Sequence, residues 1–398
     1  MKINLPHYVT TLIQRLEENG YECFVVGGAV RSSLLNLPIH DYDMTTSALP
    51  EEMKQVFQDY PTIETGLKHG TLTVLSNHHP IEITTYRKDA TYKDHRHPDE
   101  VIFTRAIQED CARRDFTVNA LCYNPRVGIL DFFHGEEDMH DHKIRCIGDP
   151  FQRFEEDALR ILRAIRFASR LHFTIEENTS KALLSLSPTL RYISIERIQQ
   201  EFDGYLGSID CANFFLPYRK VFEVFLPELK EESDTDIAVL VEAFHHSPCN
   251  SILRMALILS LPVFNDPRSV LRRLKYSNND MRTILDLISH KDCPLSTKIE
   301  LKETLSTLSC PWDIYFAYRC ALERQDDPQV SSLYQEIIHK QECFCLKDLA
   351  IKGNDLIQLG YQDKEISTTL HTLLQKVIHE QLPNDHTTLY THAKNHIL

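Results

Sequence analysis

The feature that most constrains this 398-residue chain lies near its start: Phe24-Val25-Val26-Gly27-Gly28-Ala29-Val30-Arg31, then His40-Asp41-Tyr42-Asp43. A short apolar strand, a Gly-Gly turn and a helix start make a place where backbone N–H groups face a phosphate. Asp41 and Asp43 lie thirteen and fifteen residues beyond Gly28. With Tyr42 to Thr45 read as a strand, the period-two alternation of side chains turns both carboxylates to one face. Two hard oxygen ligands that close together suit a Mg²⁺ ion bridging the phosphates of a nucleotide. Gly-Gly alone is usually a turn, and Asp-x-Asp alone a solvated edge. Their conjunction, with Arg31 one helical turn into the phosphate site, points to nucleotidyl transfer.

The texture of the chain changes once. Up to about residue 148 short β-rich runs alternate with turns and helices. Phe24–Val26 is a strand, and Thr71–Leu75 and Ile81–Tyr86 read as a hairpin closed by Ser76 to Pro80. Glu82, Thr84 and Tyr86 share one face of its second strand. From Phe154 onward nearly every segment has helical periodicity, broken near 187, 209, 262, 294 and 383. The expected fold is α+β: an N-terminal head with a small mixed β-sheet, followed by an all-α remainder.

Composition excludes several classes. No run approaches the ~20 apolar residues of a membrane span, and the N-terminus lacks the pattern of a signal peptide, so a cytoplasmic protein with no membrane partner is expected. The eleven cysteines are scattered without a Cys-x-x-Cys pair, which reads as apolar filler or free thiols. Histidines such as His140 and His142 lie in polar stretches, and a His-Asp phosphohydrolase site there is the weaker reading. A formal net charge of -14 disfavours indiscriminate nucleic-acid binding but leaves room for local basic faces. Arg160, Arg163 and Arg166 make one, and Arg268, Arg272, Arg273, Lys275 and Arg282 another.

Two further clusters carry chemistry. Asp110-Cys-Ala-Arg113-Arg114-Asp115-Phe-Thr-Val-Asn119 places two arginines for a phosphate or base edge, with Asp115 expected to fix a guanidinium fork. Glu155-Glu156-Asp157-Ala-Leu-Arg160-Ile-Leu-Arg163-Ala-Ile-Arg166 reads as one helix with an apolar stripe at Ala158, Ile161, Ile165 and Ala168. Asp157 and Arg160, as i,i+3 neighbours, are expected side by side. An acceptor beside a donor matches the edge of cytosine or adenine. Arg163 and Arg166 wind away toward phosphate or RNA backbone. The polar segment 87–100 reads as a loop able to close over a nucleotide.

Taken in order, these motifs closely resemble those of the bacterial class II CCA-adding enzymes, in their compact form of about 400 residues. Gly-Gly-Ala-Val-Arg (27–31) with Asp-Tyr-Asp (41–43) is similar to the family's first motif, and Arg113-Arg114-Asp115 to its nucleotide-contacting motif. The turn Asp131 to Arg145 resembles the join of head to neck, and Glu156-Asp-Ala-Leu-Arg160 the amino-acid template that pairs with the incoming base. Glu196-Arg-Ile-x-x-Glu201 resembles the last neck motif, and Gly353 to Gly360 a tail segment. The chain departs from the family's Val-Arg-Asp at Ser32, which removes a charge beside Arg31.

The resemblance implies addition of CCA to the 3′ end of tRNA from CTP and ATP, with release of pyrophosphate. It implies Mg²⁺ on Asp41 and Asp43, with Glu82 as third catalytic carboxylate. Gly28 and Arg31 would hold the triphosphate. Arg114, Asp157 and Arg160 would contact the nucleotide, with Arg163 and Arg166 in support. It implies a catalytic head (1–148), a base-recognising neck (149–207), a body (208–290) and a tail (291–398) that holds the tRNA acceptor–TΨC arm by shape. The rivals are an A-adding enzyme or poly(A) polymerase of the same family, and a catalytically silent RNA-binding homologue.

Overall fold

The computed structural model describes residues 3–39, 41–89 and 101–396. It divides into two compact units, Met1–Lys230 and Glu231–Leu398.

The first unit opens with helix α1 (His7–Glu18), whose Val9, Leu12, Ile13 and Leu16 recur at helical spacing and are buried. Strands β1 (Cys23–Val26), β2 (Met44–Thr46), β3 (Thr62–Ile63), β4 (Thr71–Ser76) and β5 (His79–Thr85) follow, with α2 (Gly28–Leu34) and α3 (Pro50–Val56) between them. Short strands β6 (Arg87–Asp89) and β7 (Val101–Phe103) pair antiparallel as a separate ribbon. Next come α4 (Ile107–Ala112), β8 (Cys122–Asn124), β9 (Gly128–Leu130), α5 (Gly135–His140) and β10 (Lys143–Ile144). Seven strands form one mixed sheet in the order β3-β4-β5-β2-β1-β8-β9. Only β2 and β5 run parallel in it. All four residues of β1 and all three of β2 are buried, as central strands require.

Three local expectations need correcting. The strand read over Tyr42–Thr45 begins later, at Met44. Before it only the Asp43 carbonyl finds a ladder partner, accepting from Val26 N–H at 3.0 Å, because the facing chain turns away at Gly27. Asp41 and Asp43 therefore sit in the lead-in to β2. The hairpin closes more tightly than 76–80, through Asn77-His78 alone. Both have positive φ, 49° and 65°, and Ser76 pairs with His79, which is the primed turn that suits the strand twist.

The third correction concerns the helix read from Glu155 to Arg166. It is two helices, α6 (Pro150–Glu156) and α7 (Leu159–Leu171), broken at Asp157, whose φ of -143° and ψ of 102° are extended. The Asp157 side chain causes the break: Oδ1 accepts from Leu159 N–H at 3.0 Å and heads the second helix. The apolar stripe Ala158, Ile161, Ile165 and Ala168 is fully buried. A small strand β11 (Thr174–Ile175), unforeseen in the helical part, pairs parallel with β10. Helices α8 (Glu177–Leu186) and α9 (Ile195–Leu206) then pack on; α9 lies against α7.

The second unit is helical from Asp234–His245 to His386–Lys394. Many of its helices start on a capping side chain, among them Asn250, Asp266, Ser277, Thr297, Asp327 and Asp385. One of its cores gathers Leu349, Ile351, Leu356, Leu373, Ile378 and Leu389. All eleven cysteines are free thiols. Among the described residues no helix is long and apolar enough to cross a membrane, and no group of three or more His, Cys, Asp or Glu is arranged to hold a metal. His140 is an exposed side chain beside Asp141 at the end of α5, so the phosphohydrolase reading has no site there. The segment 90–100 and His40 lie outside the described residues, and with that segment most of the candidate closing loop.

Candidate active site

An open cleft of about 550 Å³ lies in the first unit. Gly27, Gly28, Arg31, Asp43 and Arg114 line it from the sheet end, and Asp157, Arg160 and Arg163 from the α6–α7 turn. Of the sequence-derived candidates, Asp41, Glu82 and Arg166 are not among its lining residues. Gly27 has φ +61°, and a Cβ there would meet Arg114 Nη1 at 3.3 Å. Glycine both permits the turn and lets a guanidinium approach its backbone.

The carboxylates gather through sheet register. β2 and β5 pair in parallel with Met44 opposite Ile83. Just before that pair, Asp43 in the lead-in to β2 lies near enough to Glu82 of β5 for their charges to interact. The Asp43 carboxyl is held above the ordinary range, first by partial burial, then by the charge of Glu82; Asp41 adds to this and Arg114 opposes it. A divalent cation relieves the charge that neighbouring carboxylates place on Asp43. Asp41 and Asp43 supply two oxygen-bearing side chains, and such ions commonly complete their shell with substrate phosphates and water. The donor set therefore fits a divalent cation.

The arginines are fixed by a different set of acids from the one expected. Asp110, wholly buried, binds Arg113 through Nε at 2.9 Å and Arg114 through Nη2 at 3.3 Å. These are i,i+3 and i,i+4 pairs that α4 brings together. Asp115 instead takes Arg163: Nε and Nη2 donate to Oδ2 at 2.9 and 2.6 Å. Its other oxygen accepts from Asn119 Nδ2 and Phe116 N–H. Burial alone would raise the Asp115 carboxyl, but Arg163 and these donors hold it down at about 2. Asn119 Oδ1 in turn accepts from Arg31 Nη1. Burial, reinforced by the charges of Arg170, Arg166 and Arg163 against the opposing pull of Asp115, lowers Arg31 to about 10, so it stays a cation at neutral pH.

Asp157 and Arg160 both face the cleft, yet they do not pair. Arg197 Nη2 donates to Asp157 Oδ2 at 3.2 Å. Arg160 Nη1 donates to Glu156 Oε2 at 2.9 Å and to the Arg153 carbonyl at 3.0 Å. The break at Asp157 separates the two heads and leaves each with its own anchor. Arg153, which sequence reasoning passed over, is buried and donates through Nη2 to the carbonyls of Ala112, Arg113 and Arg114. It ties α6 to the end of α4. Arg163 and Arg166 aim at carboxylates: both pair with Glu201 on α9. The signal for Arg197 and Glu201 was their place in the 196–201 motif. Nothing in local spacing marked Arg153 or Phe167.

Comparison with known proteins gives a consistent result. Residues 23–145 match a family described as "Poly A polymerase head domain". Residues 172–232 match "Probable RNA and SrmB- binding site of polymerase A", and 253–393 "tRNA nucleotidyltransferase domain 2 putative". The CCA-adding enzyme of Enterococcus faecalis is 34% identical, over 96% of this chain and 94% of its own length. That of Limosilactobacillus fermentum is 36% identical, over 95% and 94%. The Bacillus stearothermophilus CCA-adding enzyme in complex with CTP superposes with a TM-score of 0.82 at 27% identity, covering 98% of each chain. The Thermotoga maritima CCA-adding enzyme complexed with tRNA shares the fold, with a TM-score of 0.68 at 19% identity.

Proposed function

Because this chain belongs to the family of CCA-adding enzymes, we propose a residue-level account of how it completes the 3′ end of tRNA with CTP and ATP. The observation that carries the account is one cleft holding the Gly27-Gly28 turn and Asp43 together with Asp157 and Arg160. Its volume of about 550 Å³ suits a single nucleotide, with its phosphates at one end and its base at the other.

In this account Gly28 and Arg31 hold the triphosphate, and Arg114 contacts the nucleotide beside them. Asp157 accepts from, and Arg160 donates to, the edge of the base. Arg197 and Glu156 keep those two heads in place, while Arg163 and Arg166 brace α7 against Asp115 and Glu201. Asp41 and Asp43, with Glu82 alongside, would hold a divalent cation, which we take to be Mg²⁺; bound there, it would raise the acidity of the tRNA 3′-hydroxyl and offset phosphate charge. The 3′-oxygen attacks the α-phosphorus in line, the bond to the bridging oxygen breaks, and pyrophosphate leaves. No covalent enzyme intermediate is needed.

We assign 1–148 to a catalytic head, 149–207 to a neck, 208–290 to a body and 291–398 to a tail that holds the acceptor–TΨC arm, in a cytoplasmic enzyme. The test follows the label. Purified chain given tRNA lacking its CCA end and CTP labelled at the α-phosphate should move label into RNA, whereas γ-label should emerge as pyrophosphate. Absence of α-label in RNA would reject the account.

A further inference from the structure

Phe167 on α7 lines the cleft and is only 7% exposed. Three guanidinium carbons lie close to its ring centroid: Arg166 at 4.4 Å, Arg31 at 5.0 Å and Arg163 at 5.2 Å. Their other partners differ in kind. Arg163 is paired with Asp115 and Glu201, and Arg166 with Glu201. Arg31 donates to the neutral amide oxygen of Asn119, its Nε is buried without a hydrogen-bond partner, and the next residue is the uncharged Ser32. Arg163, Arg166 and Arg170 repel it, and the charge of Asp115, which does not bond to it, offsets part of that repulsion.

An aromatic face attracts a cation through its quadrupole and carries no net charge. A carboxylate in the same place would neutralise Arg31. The ring attracts Arg31 without neutralising it, and so leaves its charge for an anion in the cleft that both line.

We propose that Phe167 is a positioning residue: an aromatic post that holds Arg31 ready for the triphosphate. The proposal rests on reading the cleft as a triphosphate site. The alternative is a ring that merely fills space, as its T-shaped contact with Phe116 at 6.0 Å would suit.

The test keeps the ring's shape and drains its face. 4-Fluoro-, 3,5-difluoro- and 3,4,5-trifluorophenylalanine are placed at position 167 of the full chain. Binding of inorganic tripolyphosphate is measured by calorimetry, and KM and kcat for CTP and ATP by tRNA extension. The dissociation constant of tripolyphosphate and both KM values should rise stepwise together, reaching about tenfold at the trifluoro form. Saturated kcat and the choice between CTP and ATP should change less than about twofold, since Asp157 and Arg160 are untouched. A flat series in tripolyphosphate binding overturns the proposal, as does a fall in melting temperature with binding unchanged. Graded binding in a protein that extends no tRNA would support the post and reject the proposed reaction instead.

Discussion

Arg163 grips a single oxygen of Asp115 through both Nε and Nη2, at 2.9 and 2.6 Å, across 48 residues of sequence. The other oxygen of Asp115 holds Asn119, which holds Arg31. One buried carboxylate thus joins α7, which carries the Arg160 assigned to the base, to the arginine assigned to the triphosphate.

Asp115 should be a determinant of stability with a definite pH signature. Its carboxyl is depressed to about 2, so its contribution is complete above the ordinary value of ~3.9 and is lost as pH falls through about 2. Asp115→Asn should cost about 3 kcal/mol at pH 7, because it removes the buried carboxylate that Arg163 holds through two N–H groups and leaves that arginine only its longer contact with Glu201. At pH 3 the wild-type chain has already surrendered part of this, so the penalty should be smaller by about 1 kcal/mol. Urea unfolding of both proteins at the two pH values measures it; equal penalties would contradict the assignment.

Asp43 predicts the acid side of the activity profile. Its carboxyl sits above the usual carboxylate range through partial burial and the charges of Glu82 and Asp41. The acidic limb of kcat/KM should therefore lie above an ordinary aspartate, and more Mg²⁺ should move it to lower pH as cation and proton compete. Asp43→Asn should lower extension about a thousandfold, several kcal/mol of barrier, with tRNA binding retained. A limb indifferent to Mg²⁺ concentration would count against the metal site.

Arg160 takes its direction from Glu156 together with the carbonyls of Arg153 and Arg113. Arg160→Ala should blur the choice between CTP and ATP more than it weakens either KM. Glu156→Gln, which leaves Arg160 present but less firmly aimed, should reduce that discrimination by about threefold to tenfold. Competition between the two nucleotides on one tRNA end reads this directly. Unchanged preference in both variants would remove Arg160 from base recognition.

Gly204 sits in α9, where alanine would ordinarily favour the helix by ~1 kcal/mol. Here a Cβ would lie 2.5 Å from Arg166 Cδ. Gly204→Ala should instead destabilise by about 1–3 kcal/mol as Arg166 leaves Glu201. Thermal unfolding decides; a stabilised variant would show that the arginine has room to yield.

What the sequence made legible were features with a local period. The Gly27-Gly28 turn, the 71–86 hairpin and the stripe on α7 each follow from neighbours a few residues apart. The anchors of the site do not. Asp115 was matched to the arginines beside it, yet helical spacing gives those to Asp110 and the fold gives Asp115 to Arg163. Asp157 looked like a helical residue because its neighbours are, but its own side chain caps the next helix and ends the previous one. Arg153, Arg197 and Phe167 act on residues 30 or more positions away, and no local spacing announces such a pairing.

The measurement that bears most directly on the account uses three tRNA transcripts, ending before the first C, after CC and after CCA. Each is incubated with purified chain, Mg²⁺ and CTP, ATP or both. With both nucleotides the account predicts growth of the first two to CCA and no further, with the third unchanged. Extension of the CC-ended transcript alone, untemplated A tails, or no incorporation at all would contradict it.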